Sequence, residues 1–556
     1  MDFDNPFLTK QIIAYIGNKR RLLELIYKSI KVTVPDLTQG LKFFDAFSGS
    51  GIVSRLGKSL GFEVFSNDWE NYSFIINNGF IKTNLDDIPE LFDSLDNFQS
   101  LLDKINNLPN PKKKDQYISK YYAPHGFDID SADFRVERLF YTRDNALAID
   151  KIRNYIELEY KEGKDNRIRN ILISILLYEA ATHTNTSGVF KAFHKGFGGH
   201  NRDAMKRILT PIRLTVPNLI NSNFPVHIFK EDANTLVRKK ELQNIDIAYL
   251  DPPYNQHQYG SNYHMLNTIA LWDKIPAPLV FNEKGSLKEK AAIRKDWIKT
   301  KSDYCYQGSA ISSFTDLIEN LDAKYILISY STDGIIPFEI MKDICIKKGK
   351  ISIVTNEYTK YRGGKQSNNR LNTNIEFILT INTQKKSTKA SIKSVEAVIN
   401  KKKILLMFKQ KYSFEKLEVH SDSITGTEIT FDTGKRKLII QSNCHFELFP
   451  SEDINNLSIE ETDILYNLLT RCACHTKEEE LKEIISKING DSDNNLYFVK
   501  LVPDILKKLA HKKNKQRFYH WIAEIRKIED SHSELYSLIK VKVNNIEVIA
   551  EKRFNN

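Results

Sequence analysis

The chain has 556 residues, enough for two to four domains, and a composition (41% hydrophobic, 27% charged) typical of a globular protein with a sizeable core. Its formal net charge of +11 is compatible with a polyanionic partner, and no apolar run approaches the length of a membrane-spanning helix. The acidic amino terminus, Met1 to Asp4, lacks the layout of a signal peptide. We therefore expect no membrane association.

The five cysteines form neither a C-x-x-C pair nor an even disulfide framework. Cys472 and Cys474 lie just before His475, but this spacing does not suit a zinc site and no second pair exists. The sequence therefore predicts no metal and fits a reducing cytoplasm best.

The first elements predict the start of a doubly wound α/β sheet. Residues 41–46 form a strand pattern, a Gly-rich turn follows at 47–51, and 52–58 are helical in pattern. A second strand at 63–66 leads to Asp68, at about the spacing where an acid holds ribose hydroxyls in nucleotide-cofactor folds. Before them, a Gly turn with basic residues at 15–21 opens a helix, a combination that suits an anion but, taken alone, is more often a plain basic helix start.

The alternation of strands and helices breaks between about residues 71 and 225. A helix is predicted at 168–181, followed by a loop at 185–199. The composition of this loop suits contact with phosphates and bases, although a solvated loop with packed phenylalanines has the same composition. Its aromatic and basic side chains are Phe190, Lys191, Phe193, His194, Lys195 and Phe197.

The alternation resumes with a strand that ends near Asp232, and a further strand at 244–248 leads into Asp251-Pro252-Pro253-Tyr254. The two prolines fix φ and donate no hydrogen bond, so this turn is stiff. The Asp251 carboxylate and the Pro252 carbonyl form two acceptors at fixed spacing, which suits the exocyclic amine of a base. The Tyr254 ring can stack on the same base, which reaches such a pocket only after leaving the duplex.

Two more strands, at 324–330 and 375–381, extend the predicted sheet, with an exposed loop at 358–364 between them. Residues 385–403 are rich in Lys and Ser and have the polarity of a linker. Residues 401–556 carry 26 Lys and Arg against 24 Asp and Glu, so a strongly basic face is expected before them. This last segment has strand patterns at 404–408, 428–431 and 437–441 and helical patterns at 477–488 and 517–528.

Together these segments resemble the adenine-specific DNA methyltransferases of the Dam-like, D12 class, over roughly residues 10 to 382. The resemblance implies a Rossmann-like catalytic sheet, S-adenosyl-L-methionine as cofactor, and transfer of its methyl group to the N6 amine of an adenine in double-stranded DNA. It also implies a bacterial or archaeal cytoplasm, binding to the nucleoid, and a possible cognate restriction endonuclease. The motifs, in the order of that family, are Tyr15-x-Gly17-x-Lys19, Phe47-Ser48-Gly49-Ser50-Gly51, Asn67-Asp68 and Asp251-Pro252-Pro253-Tyr254.

The resemblance implies a role for each matching position. Tyr15, Gly17 and Lys19 meet the methionine end of the cofactor, with Lys19 facing its carboxylate. Asp68 holds the ribose, and Asp232 with Ala233 holds the cofactor adenine. The cofactor cradle comprises Asp45, Ala46, Phe47, Ser48, Gly49 and Gly51.

The target adenine is expected to meet Asp251, Pro252, Pro253 and Tyr254. Asn185, Lys191, Lys195 and Arg202 are expected to contact DNA. The implied catalytic domain spans 1–71 and 226–384, with a target-recognition insertion at 72–225. A linker at 385–403 and a C-terminal α+β accessory domain at 404–556 complete the predicted organisation.

Other functions stay open at this point. N4-cytosine methylation would use the same kind of pocket, with two acceptors for an exocyclic amine. RNA or protein amide methylation is disfavoured because the long insertion suits the recognition of a duplex. A nuclease could follow residue 400, where Glu480-Leu481-Lys482 offers half of a metal nuclease site, although its helical run favours a charged helix face. A DNA-binding protein without catalysis would not need both the cofactor acid and the Asp-Pro-Pro-Tyr turn.

Overall fold

The computed structural model describes residues 1–199, 202–355, 375–490, 495–511 and 514–554, and the chain divides into two units. The first contains the described residues up to 355 together with 376–388, and the second contains those from Lys389 onward. No helix within the described ranges is long and apolar enough to cross a membrane.

A mixed seven-stranded sheet forms the centre of the first unit. Its order is β3-β2-β1-β4-β5-β7-β6, and β7 runs antiparallel to both neighbours while the other pairs are parallel. This arrangement confirms the predicted doubly wound α/β sheet. The strands are β1 (Lys42–Asp45), β2 (Glu63–Asn67), β3 (Val226–Phe229), β4 (Ile245–Leu250), β5 (Ala323–Ser331), β6 (Lys350–Thr355) and β7 (Glu376–Asn382).

The strand order reverses between β1 and β4, which pair in parallel with Asp45 opposite Tyr249. At such a switch point the loops leave the two strands in opposite directions and open a crevice at the carboxyl edge of the sheet. The Gly-rich turn after β1 and the Asp251 turn after β4 both begin at this edge. The fold therefore brings together two motifs that lie about 200 residues apart in the sequence.

Helices flank the sheet and build a second hydrophobic core beside it. The helices of the first unit are α1 (Pro6–Thr9), α2 (Leu23–Thr33), α3 (Ile52–Ser59), α4 (Asn71–Ile76), α5 (Asp87–Phe92), α6 (Leu95–Asn106), α7 (Ile118–Tyr121), α8 (Arg143–Glu159), α9 (Asn166–Thr182), α10 (Met205–Leu209), α11 (Ala233–Leu236), α12 (Tyr259–Asn262), α13 (His264–Leu271), α14 (Ala310–Asn320) and α15 (Phe338–Lys348). Short 3-10 helices lie at Lys19–Leu22, Lys113–Asp115, Lys240–Leu242, Asp296–Thr300 and Asp303–Cys305, and a π-helical segment at Asn77–Lys82.

Two hydrophobic cores of the first unit are built from different elements. The sheet core joins α2 and α3 to β1 and β4, with Ile26, Phe43 and Ile247 fully buried. The helical core is centred on α8 and α9, because α9 is apolar on nearly every side from Ile171 to Leu177. It also includes α13, which follows the Asp251 turn, so the helical layer draws on chain outside 72–225.

The second unit contains a four-stranded antiparallel sheet of order β11-β10-β9-β8 and two cores, one against this sheet and one among the last four helices. Its strands are β8 (Ser423–Thr425), β9 (Glu428–Asp432), β10 (Lys437–Asn443) and β11 (Glu447–Phe449). Its helices are α16 (Lys389–Met407), α17 (Phe414–His420), α18 (Ile459–Cys472), α19 (Lys477–Asn489), α20 (Asn495–Leu509), α21 (Lys515–Ser531) and α22 (Ser533–Phe554).

Two predictions for this part of the chain are wrong. Residues 385–403 are not an extended linker, and 404–408 is not a strand, because α16 covers most of both. Val395, Ile399 and Leu406 are buried at helical spacing, and the surrounding Lys and Ser residues hide this periodicity in the composition. The predicted loop at 358–364 lies outside the described residues.

Candidate active site

An open pocket with an empty volume of about 760 Å³, including its solvent-filled mouth, lies at the carboxyl edge of the central sheet. Five carboxylate side chains line it, so it favours a cationic ligand group. The lining residues are Tyr15, Ile16, Gly17, Ala46, Phe47, Asn67, Asp68, Trp69, Glu70, Glu231, Asp232, Ala233, Asp251, Pro252, Pro253, Tyr254, Gln258, Tyr259, Thr300, Ser302 and Tyr304.

Asp251 forms an ion pair at the floor of this pocket. Its Oδ1 lies 2.9 Å from Lys19 Nζ, and the side chains are 17% and 7% exposed. The Lys19 ammonium is thus the charged partner of this buried oxygen. Burial raises the pKa of Asp251 to about 6, although the Lys19 ammonium acts in the opposite direction. The carboxylate is thus ionised at neutral pH and retains acceptor capacity.

Lys19 is the first residue of the 3-10 helix at Lys19–Leu22. The resemblance predicted that its ammonium faces the carboxylate of the cofactor. Burial alone would lower the pKa of this ammonium, but the adjacent Asp251 carboxylate raises it above its usual range, so Lys19 stays charged. Its Nζ also lies 5.3 Å from the centre of the Tyr254 ring. The partner of Lys19 in the structure is therefore the predicted catalytic acid.

The turn before Lys19 depends on Gly17. Its φ of +77° lies in the left-handed region that favours glycine, whereas a Cβ there would make only van der Waals contact with the Tyr254 hydroxyl, at 3.4 Å. The rings of Tyr254 and Tyr330 pack edge to face with their centroids 5.7 Å apart. The backbone carbonyl of Tyr254 accepts a hydrogen bond from Ile335 N at 3.1 Å. The Asp-Pro-Pro-Tyr turn is consequently held from both sides.

Stacked tyrosines form one wall of the pocket. The Tyr15 ring stacks on those of Tyr259 and Tyr263, at centroid distances of 5.1 and 4.7 Å, and the latter two rings are 6.2 Å apart. Tyr263 accepts a hydrogen bond from Ile16 N at 2.7 Å, and Tyr72 donates to the Tyr15 hydroxyl at 3.1 Å. The predicted contact residue Tyr15 is thus fixed by aromatic residues that follow the Asp251 turn in sequence.

The Gly-rich turn after β1 divides into lining and supporting residues. Ala46 and Phe47 line the pocket, whereas Asp45, Ser48, Gly49 and Gly51 do not. Gly49 has φ +52°, and a Cβ there would lie 2.8 Å from the Tyr15 ring, so this position requires glycine. The supporting contacts are Ser54 Oγ donating to Asp45 Oδ2 at 2.7 Å, Asn77 Nδ2 donating to Ser48 Oγ at 2.6 Å, and Gly51 N donating to Ser48 O at 2.7 Å.

Asp68 lines the pocket and also ties the turn together. Its two oxygens accept from Gly49 N at 2.7 Å and Glu70 N at 2.9 Å. Asp232, predicted to meet a nucleobase, caps α11 by accepting from Thr235 N at 2.9 Å. Both acids are at the pocket as predicted, and each has acceptor capacity beyond these bonds because a carboxylate offers about four lone-pair sites.

Sequence reasoning missed Glu70 and the rim of the pocket. Glu70 is 6% exposed, accepts from Asn267 Nδ2 at 2.6 Å, and has its pKa raised to about 7 by burial. In the sequence, the position of Glu70 two residues after Asp68 was the signal that could have assigned it to the site. The rim residues Thr300 and Ser302 lie about 50 positions after Asp251 in an irregular segment, where no periodicity marks them.

The four residues predicted to contact DNA have different environments. Asn185 is buried, donates to Leu139 O at 3.0 Å and accepts from Gly198 N at 3.2 Å, so it organises the loop from inside. Lys191 and Lys195 are exposed, and Arg202 pairs with Asp130 at the surface. A direct contact of Asn185 with DNA would require the loop to open.

The possible nuclease motif lies in α19, as the helical pattern indicated. Glu480 is buried and pairs with Lys477 one turn earlier, and Leu481 packs in the helical core of the second unit. Within the described ranges, no group of three or more His, Cys, Asp or Glu side chains is placed to hold a metal ion.

Comparison with known proteins gives consistent results. A family model described as "D12 class N6 adenine-specific DNA methyltransferase" matches residues 15–280. The Type II methyltransferase M.NlaIII of Neisseria lactamica is 31% identical over 366 residues, which are 65% of this chain and 96% of that protein. M.CviAII of Paramecium bursaria Chlorella virus 1 is 30% identical over 63% of this chain and 93% of its own length. The modification methylase LlaI of Lactococcus lactis subsp. lactis is 30% identical over 63% of this chain and 51% of its own length.

Proposed function

The chain belongs to the D12 class of N6 adenine-specific DNA methyltransferases, and we propose that it transfers the methyl group of S-adenosylmethionine to an adenine flipped out of duplex DNA. Adenine is thus favoured over cytosine N4, the alternative that the sequence left open. We further propose that the enzyme protects the sites of a cognate restriction endonuclease, since similar proteins carry Type II names.

One observation carries the proposal for the site. A single pocket contains both the Asp251–Tyr254 turn after β4 and the loops after β1 and β2. The acceptors proposed for the target amine therefore face the same space as Phe47 and Asp68, which are proposed to hold the cofactor. Transfer between two bound molecules requires this adjacency.

The pocket residues fit S-adenosylmethionine in charge and in hydrogen-bonding capacity. Asp68 and Asp232 offer acceptors to ribose hydroxyls and to an adenine amine, and the acidic lining suits a cationic sulfonium. Tyr15 offers its ring at the edge of the Gly-rich turn.

The chemistry of the target amine determines what the turn must do. When bound, S-adenosylmethionine supplies an electrophilic methyl group. The lone pair of an exocyclic amine is delocalised into the ring, so acceptors outside the ring plane are needed to draw its hydrogens and free the lone pair. Asp251 and the Pro252 carbonyl supply them, and the Asp251 carboxylate can take the proton that the nitrogen releases as its new bond to carbon forms. Tyr254 holds the extruded ring by stacking.

Incubation with methyl-labelled S-adenosylmethionine and unmethylated plasmid DNA tests this function. We expect label in N6-methyladenine, and long-read sequencing of host DNA from expressing cells should give the recognition motif. Label in N4-methylcytosine, or magnesium-dependent cutting without label, would contradict the proposal.

We expect the first unit to suffice for cofactor binding, because every residue proposed to bind cofactor or target base precedes Thr388. A chain truncated after Thr388 should fold and bind S-adenosylmethionine within about threefold of the full chain in calorimetry, while DNA binding weakens. Native-like circular dichroism together with lost cofactor binding would disprove this division. The full-length Phe449→Ala variant, changed at a residue of the second unit that is 49% exposed, is the matched control.

Replacing Lys195 should weaken binding to all DNA sequences alike. Its ammonium is exposed and lies 5.5 Å from the centre of the Phe134 ring, at a surface proposed to face phosphates. Lys195→Ala should lower the slope of log affinity against log salt by about one, as expected for one lost phosphate contact. Exposed Lys164, between α8 and α9, provides the control variant. A changed sequence preference with an unchanged salt slope would instead indicate base reading.

A further inference from the structure

A short hairpin projects from the first unit after α13, at residues 279–288. Phe281 bridges Leu287 across it, and Lys288 N donates to Val280 O at 2.8 Å. At the tip, Asn282 Oδ1 accepts from Lys284 N and Ser286 N, both at 3.0 Å. These bonds give the tip a defined conformation although it stands in solvent.

A buried arginine fixes the base of this hairpin. Arg138 is 1% exposed, and its guanidinium donates to Ala277 O at 2.6 Å and Pro278 O at 3.0 Å on one arm. It also donates to Glu289 O at 3.2 Å on the other arm. One buried charge thus holds both arms, so the orientation of the exposed tip is set by the helical core.

The hairpin exposes apolar and basic side chains together. Val280 and Phe281 are each 48% exposed. From residue 279 to 301 the chain has seven Lys and Arg against three Asp and Glu. Arg294 pairs with Asp273 and Asp296, which leaves six cations against Glu283 and Glu289. The exposed cations beside the apolar pair are Lys284, Lys288 and Lys290.

The same surface continues to the residues already proposed to face phosphates. Leu287 N donates to Arg135 O at 2.7 Å, which joins the hairpin to the loop around residue 135. That loop contains Phe134, which contacts Lys195. In the other direction, the chain runs from the hairpin to Thr300 and Ser302 at the pocket rim. The hairpin is therefore joined by a backbone hydrogen bond to the loop that contains Phe134, and in sequence it shortly precedes the pocket residues Thr300 and Ser302.

We propose that the hairpin at 279–288 is a second DNA-contacting element, in which Phe281 wedges into the base stack beside the extruded adenine while Lys284 and Lys288 bind phosphates. This inference rests on the proposed base flipping. Extrusion of a base leaves a gap in the stack, and an apolar side chain is the group that proteins insert between base steps. The flanking ammonium groups favour a polyanion over an apolar protein surface as the occupant.

Duplex binding by the full-length enzyme tests the proposal, with 2-aminopurine at the target adenine. Phe281→Ala should weaken binding about tenfold and reduce the fluorescence gained on extrusion, with the salt slope unchanged. Phe281→Trp should retain most of both signals. The double variant Lys284→Ala/Lys288→Ala should lower the salt slope by about two. Leu158→Ala, at a 68% exposed residue ending α8, is the apolar control and should match the parent.

Parent-like binding and fluorescence in Phe281→Ala would overturn the wedge. An unchanged salt slope in the double lysine variant would remove the phosphate contacts. A parent dimer in sedimentation that Phe281→Ala dissociates would assign the surface to a second copy and also overturn the proposal. Failure of the proposed methylation would appear separately, as a parent enzyme that binds DNA but transfers no label to adenine.

Discussion

Replacement of Asp251 by alanine is expected to lower the single-turnover rate of methylation by about 100-fold or more. The expected cause is loss of the acceptor that orients the target amine and takes up developing charge. Asp251 lines the pocket, and beyond the pairing of its Oδ1 with Lys19 Nζ its carboxylate offers further lone-pair sites to a ligand. Cofactor and DNA binding should remain within a few-fold of the parent, because the duplex is gripped elsewhere.

The alanine variant also leaves Lys19 without its partner, so a second substitution is needed. Asp251→Asn retains the shape of the side chain but not its charge, and its rate should fall by a similar factor. Asp246, which accepts from Lys42 N at 2.9 Å near the start of β4, provides a carboxylate control on the same strand. Asp246→Ala should lose stability but keep its turnover. Near-normal turnover of both Asp251 variants would remove this residue from the mechanism.

Substitutions of Tyr254 in the same assay distinguish the stacking contact from the role of the Asp251 acceptor. Tyr254→Ala should weaken capture of the extruded base by about 1–3 kcal/mol, seen as reduced 2-aminopurine fluorescence. Tyr254→Phe and Tyr254→Trp should retain part of the activity, since the face of the ring makes the contact. Asp251→Ala should instead retain the fluorescence change while losing the rate.

The central sheet could be predicted because its signals are local. A buried strand, a Gly turn and an apolar helix follow one another from residue 41 to 58, and β1 and α3 formed there. β6 was not predicted, although Lys350 and Ser352 alternate with isoleucines as in a half-buried edge strand, because the polar residues of its exposed face hid this pattern. α16 was missed for a related reason, since Lys and Ser dominate its composition and only the spacing of its buried residues shows the helix.

Prediction of the pocket residues was limited in the same way, to those marked by local sequence patterns. Residues joined by short motifs, such as Phe47 and Asp68, could be assigned to one pocket because parallel strands end at a common edge. Contacts between distant segments left no pattern. The stacking of Tyr15 on Tyr263 joins residues 248 positions apart, and the wall they form depends on how α12 and α13 pack. Position-by-position resemblance also assigned Lys19 to the cofactor and gave no indication of its pairing with Asp251.

That pairing makes the pH dependence of the enzyme a test of the site. Asp251 must be ionised to accept hydrogens from the amine, so activity should be present above its pKa and lost as the pH falls through about 6. The acid limb of kcat/KM reports this pKa in the free enzyme. In the parent enzyme, half of the activity should therefore be lost near pH 6, and the limb should disappear in Asp251→Asn.

Lys19→Met should move this acid limb to higher pH. The ammonium 2.9 Å from Asp251 opposes the effect of burial, so its removal leaves a buried carboxyl whose pKa rises further above the usual range. If the midpoint of the acid limb rises by one pH unit, kcat/KM falls about tenfold at pH values below the Asp251 pKa of both the parent and the variant. Activity should recover in alkaline buffer. Lys19→Arg keeps the positive charge and should keep the parental limb.

If Lys19 acted only on the cofactor carboxylate, Lys19→Met would raise the KM for S-adenosylmethionine and leave the acid limb in place. Profiles recorded from pH 5 to 9 with both variants decide between the two roles, and an unmoved limb would show that the ion pair does not set the charge state of Asp251.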